Sequence, residues 1–140
     1  MTESLFNTPE ETATRLTLCL PRLSNPATIE QITTVDLVAT YMREFGFGET
    51  NLHGDSPFAR EEYEARRTRV RDGVKALVVR GLATTGDGGI TFSATEQCEA
   101  YDASLHGEYA RAYREAVEYV DSVEQDMLTN QTTGTGGKHA

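Results

Sequence analysis

Three histidines, two cysteines and a glycine-rich lysine segment are the residues of this chain that could do chemistry, and their spacing argues against each use. His53, His106 and His139 stand far from one another and from any carboxylate or thiol pattern that would close a metal shell. Cys19 and Cys98 form no CxxC or Cys/His arrangement, so they read as reduced, half-buried thiols. The tail segment "GTGGK" has the look of a phosphate-binding loop. That loop needs a glycine where this chain has Thr132, and a serine or threonine where it has His139, between a strand and a helix. The acid pairs Glu10–Glu11 and Glu61–Glu62 open helices, where the backbone dipole favours negative charge. No nucleophile elbow and no Ser/His/Asp ordering appears. The expectation is a protein that is not an enzyme, with no cofactor, no metal and no small-molecule substrate.

The elements that would carry these residues fit one domain. With 140 residues and 38% hydrophobic content the chain can bury one core but not two. Its mean hydropathy of -0.47 and the lack of an apolar run of roughly 18 residues describe a soluble protein without a membrane span. The start "MTESLFNTPEE" has neither the basic nor the apolar part of a secretion signal, so a cytoplasmic location is expected. Charge is uneven. Residues 1–59 carry a net -5, residues 60–82 a net +3 and residues 95–128 a net -7, within a total of -9. A general polyanion binder needs the opposite balance, because duplex affinity rests mainly on neutralised phosphates.

Thr8, Pro9 and Glu11 form a helix-start signature, and Pro21 ends or kinks that helix near Leu20. Thr28 can cap a second helix, in which Ile29, Ile32, Val35, Val38, Met42 and Phe45 recur at three- and four-residue intervals. Residues 46–57 read as a long loop, with His53 in it as a hydrogen-bonding or surface residue. A helix over 59–80 follows, its apolar face formed by Tyr63, Arg67, Val70, Val74 and Leu77, and Gly81 stops it. Then "LATT", "GDGG" and "ITFSA" give a hairpin from which Leu82, Ile90 and Phe92 can turn inward. Thr95 caps a short helix, broken near Gly107, and a last long helix spans about 108–128. The expected fold is mainly α with a β-hairpin: a winged-helix domain over 1–128 with a long C-terminal helix, then a disordered tail over 129–140.

Two faces call for partners. The helix before the hairpin presents Arg66, Arg69, Arg71 and Lys75, the candidate nucleic-acid contacts, since that helix enters the major groove in winged-helix proteins. The alternative is a solvated face on which Glu62 and Arg66 pair at i,i+4. On the last helix Tyr109, Tyr113, Ala116, Val120, Val123 and Met127 repeat at 4-3-4-3-4 spacing, a sustained seam. Tyr109, Tyr113, Val120, Val123 and Met127 are the candidate partner-binding residues, the distal ones lacking obvious cover.

Phe45–Gly46, Leu52–His53, Arg66–Arg67, Arg80–Gly81–Leu82, Gly89–Ile90, Ala94–Thr95 and Tyr109–Ala110 occur here in an order that resembles the middle component of ABC-three-component systems, bacterial anti-phage defence operons of the Lamassu type. The loop departs from that pattern, with "LHGD" where the family tends to have "LHP". The resemblance implies a small non-catalytic subunit beside an SMC-like ATPase and an effector, often a nuclease, which it bridges or restrains. DNA contact would be weak or made through the complex. The rival is a free-standing winged-helix transcription regulator that dimerises through its last helix and binds operator DNA with residues 60–80.

Overall fold

A computed structural model describes residues 8–54 and 58–138, with side chains to Glu124. Five α-helices and three short strands make up these residues. Helix α1 (Pro9–Cys19) starts where Thr8 accepts a hydrogen bond from the Glu11 amide at 3.1 Å, and Pro21 turns its end into a 3-10 turn. Strand β1 (Ala27–Thr28) leads directly into α2 (Ile29–Thr40), which opens on a complete capping box between Thr28 and Gln31. Helix α2 ends at Thr40, earlier than its apolar pattern suggests, and continues unbroken through Thr33 and Thr34.

A 3-10 turn over Ala59–Glu62 precedes α3 (Tyr63–Val79). The Gly81 amide bonds to the Val78 carbonyl at 3.0 Å and the Leu82 amide to the Leu77 carbonyl at 2.8 Å. This pairing closes the helix end, and it needs the positive φ of 78° that Gly81 adopts without steric cost. Strands β2 (Ala83–Gly86) and β3 (Thr91–Ala94) form the hairpin, with Gly88 and Gly89 left-handed in its turn. Strand β1 pairs antiparallel with β3, giving a three-stranded sheet in the order β1-β3-β2. The strand at Ala27–Thr28 has no signal in the sequence, because two residues are too few for an alternating pattern. Thr95 caps α4 (Glu96–Ser104), and α5 runs from Glu108 to Lys138.

The chain therefore is mainly helical with a small antiparallel sheet. One half of the core lies under the sheet, where Leu16, Ile32, Val70, Val74, Leu77, Leu82 and Cys98 meet. Helices α1 and α3 approach closely there: a Cβ on Gly73 would lie 2.7 Å from Leu16 Cδ1. The other half joins α1, α2 and α5 through Leu18, Cys19, Val35, Val38, Tyr113, Val117 and Val120. Leu82 and Phe92 turn toward the core as expected, but Ile90 does not: it sits next to the hairpin turn and is 59% exposed. The backbone of α5 stays helical to Lys138, past the expected end near residue 128, since each added residue extends an existing hydrogen-bond ladder without a new nucleus.

Candidate functional site

An acid inside the otherwise apolar run "VDLVA" organises the molecule. Asp36 on α2 is fully buried, and all four of its acceptor positions are used. Arg15 of α1 donates through Nε to Oδ1 at 3.0 Å and through Nη2 to Oδ2 at 3.2 Å. Arg66 of α3 donates through Nη1 to Oδ2 at 2.8 Å and to Thr40 Oγ1 at 3.1 Å. The Tyr113 hydroxyl of α5 donates to Oδ1 at 2.5 Å. Four helices thus meet at one carboxylate. Burial alone would raise the Asp36 pKa, but the two guanidinium charges outweigh it and hold the carboxyl well below its usual range. Burial likewise opposes the Arg15 charge, and Asp36 more than restores it.

A second polar layer rests on this hub. His53 belongs to the long loop, yet is only 5% exposed, and its Nε2 lies 2.6 Å from the Tyr109 hydroxyl. Its ring stacks on Tyr109 and meets Tyr41 edge-on, at centroid distances of 5.9 and 6.1 Å. Tyr41 in turn donates to Glu62 at 3.0 Å, and Glu62 receives Arg66 at 3.4 Å. Burial first, then the nearby Arg15 charge, pushes the His53 pKa down to about 3. The hydrogen-bonding reading of His53 is the one the geometry bears out. Among the described residues no group of three or more His, Cys, Asp and Glu could hold a metal ion.

The candidate nucleic-acid residues separate. Arg66 is 0% exposed and belongs to the hub, so it faces the core and not solvent. The physical reason is that a buried Asp36 requires buried positive charge. Arg67, assigned to the apolar stripe from the sequence, instead points outward to Glu30. Arg69 is half-buried beside Glu62, Arg71 is exposed and 3.4 Å from Asp72, and Lys75 is exposed. The fully exposed charges of α3 are Arg71 and Lys75 against Glu64 and Asp72, with Arg67 and Arg69 partly exposed beside them and paired with Glu30 and Glu62.

The candidate partner stripe is also divided. Tyr113 and Val120 are buried in the chain's own core, and Tyr109 is held by His53, so these three are corrected from docking residues to packing residues. Cover comes from a segment the seam argument overlooked. The loop after α1 folds over α5, where Ser24 donates its hydroxyl to Asp121 at 2.6 Å and its amide at 3.2 Å. Val123 is half-exposed, and the Met127 side chain lies outside the described residues. Val120→Asp is accordingly expected to destabilise the fold by on the order of 3 kcal/mol, because it places an unpaired charge in that core. Urea denaturation followed by circular dichroism checks this. A variant with the wild-type midpoint would return Val120 to the surface.

The geometry defines a small helical protein whose ionisable centre is committed to its own core. Residues 5–133 match the family described as ABC-three component (ABC-3C) system Middle Component 2, and the chain belongs to that family. A middle component is one part of a system with further subunits. No curated protein and no solved structure matches the chain. Among the described residues no helix is long and apolar enough to cross a membrane.

Proposed function

We propose that this chain is a non-catalytic accessory subunit of a bacterial anti-phage defence complex of the Lamassu type, bridging or restraining an SMC-like ATPase and an effector, often a nuclease. The observation that carries the reading is the family match over residues 5–133. The fold it uses is a winged helix. Its support is the sheet order β1-β3-β2, with α2 and α3 inserted between β1 and β2 and a hairpin after α3. The densest cluster of ionisable groups favours a structural part over catalysis: Asp36, Arg15 and Arg66 are each at most 1% exposed, leaving a substrate no access.

The rival reading, a free-standing DNA-binding regulator, is weakened by α3. A recognition helix works through exposed cations, and this one has lost Arg66 to the core and pairs Arg67, Arg69 and Arg71 with acids. Co-expression with the other components of its system, followed by size-exclusion chromatography and mass analysis, tests the choice. The expected result is co-elution with a larger component, and weak duplex binding by the isolated chain at physiological salt. Elution alone, with tight duplex binding that is lost in an Arg71→Ala, Lys75→Ala variant, would establish the regulator instead.

A further inference from the structure

The loop that follows α2 is rich in glycine, yet it is tied down along its length. The Asn51 side chain accepts from the Arg43 and Glu44 amides at 2.8 and 3.3 Å and donates to the Glu44 carboxylate at 2.8 Å. The Phe47 amide donates to the Met42 carbonyl at 2.8 Å, and the His53 amide to the Thr40 carbonyl at 3.1 Å. The loop therefore stands as a fixed wall, and a groove of about 310 Å³ separates it from α5. Ala39, Met42, Leu52, Ala112 and Ala116 give the groove apolar lining. Met42, Leu52 and Ala116 lie at the margin of the core and are only partly covered. Phe47 lines the groove too and meets Tyr119 edge-on at 5.9 Å, leaving the two rings 38% and 46% exposed. Aromatic surface of this kind, already held in place, binds a partner without the cost of ordering a loop.

The charge along the groove narrows the occupant. Glu49, Arg111 and Glu115 line it, and all three are exposed, so a partner can reach them. Arg111 is shared: it lies 2.6 Å from Glu108 and 3.1 Å from Glu115. Three carboxylates thus stand against one guanidinium, within a stretch of chain that is itself strongly acidic. Such a rim repels phosphate, which disfavours nucleic acid and anionic lipid. It disfavours a second copy as well, since each chain carries a net charge of -9. An apolar side chain suits the floor, and a cation beside it suits the rim.

We propose that this groove docks a segment of another subunit of the same system, with one large apolar side chain on the floor and a lysine or arginine at the rim. The inference rests on the accessory-subunit reading. Two variants test it. Ala112→Trp fills the groove from α5, at a residue that belongs to none of the core clusters. Glu49→Lys combined with Glu115→Lys reverses the rim at two exposed positions. Both variants are expected to keep an unfolding midpoint close to that of wild type. Each is co-expressed with the other components, and its affinity for the component that wild type recovers is measured with purified proteins. A loss of about tenfold or more is expected for each. Wild-type affinity should also weaken as salt is raised, and that of the charge variant much less. If wild type recovers a component and both variants bind it equally well, the groove is not the contact and the accessory reading stands. If wild type recovers none, the accessory reading falls and takes the docking site with it. Binding lost in Ala112→Trp but intact in the charge variant would overturn the basic residue. A wild-type dimer that Ala112→Trp abolishes would make a second copy the occupant. Should Ala112→Trp lower the midpoint, the charge variant decides alone.

Discussion

Asp36→Asn is expected to destabilise the fold by about 3–5 kcal/mol, a large part of the 5–15 kcal/mol that holds a domain of this kind together. Asparagine keeps the shape and removes the charge. Arg15 and Arg66, with side chains at 1% and 0% exposure, then lie buried with their shared counter-ion gone. The Tyr113 hydroxyl and two guanidinium groups lose charge-assisted hydrogen bonds at once. Urea denaturation of the purified variant reads this as a large drop in midpoint. A combined variant, Arg15→Met, Asp36→Leu, Arg66→Met and Tyr113→Phe, removes every partner together and is expected to recover most of that loss, since apolar groups of similar volume can replace a buried ion cluster. An Asp36→Asn midpoint equal to that of wild type would mean that the cluster does not hold the helices.

Acid is expected to weaken the fold through His53, starting well above the carboxylate range. In the unfolded chain this imidazole takes a proton near its ordinary pKa of about 6.5, whereas in the fold it does so only at about 3. The unfolded state therefore binds more protons over that interval, and stability rises with pH across it. The contribution is complete above about pH 6.5 and is lost as pH falls toward 3, at about 1.4 kcal/mol per pH unit. Asp36 acts elsewhere: its depressed pKa gives stability that is present above the ordinary aspartate range and lost only at lower pH. The groups around His53 are Tyr41, Tyr109, Arg15, Arg66 and Asp36. Unfolding midpoints at a series of pH values between 6.5 and 4.5 should fall steadily for wild type and be nearly flat for His53→Gln. Parallel profiles for the two proteins would remove His53 as the cause.

Local signals were readable because they are decided by neighbours in sequence. Thr8, Thr28 and Thr95 each cap the helix they precede, and Gly81 ends α3. What failed was any choice set by a distant residue. Counting back from Val70, positions 66 and 67 fit the inner face equally well, four and three residues away. The position of Asp36 settles the matter, since Arg66 reaches it and Arg67 meets Glu30 instead. A signal did exist: an aspartate between Val35 and Leu37, on a helix with buried residues on both sides, demands a buried cation. The seam on α5 misled for a related reason. Its spacing is the same whether the opposing surface is a partner or α1, α2 and the Ser24 loop of the same chain.

The four-helix hub also constrains how this chain can drift over evolutionary time. A mutation at position 36 strands two buried guanidinium groups and the Tyr113 hydroxyl, and one at position 15, 66 or 113 takes a donor away from the buried Asp36 carboxylate. Each one-step path away from the cluster therefore crosses a fitness valley, while the apolar alternative beyond it can be as stable. Descendant chains should accordingly fall into two separate groups, one keeping all four polar residues and one with apolar residues at all four, with mixed sets rare. The steepness of the surrounding landscape, as much as any advantage over a greasy core, is therefore expected to hold Asp36 in place.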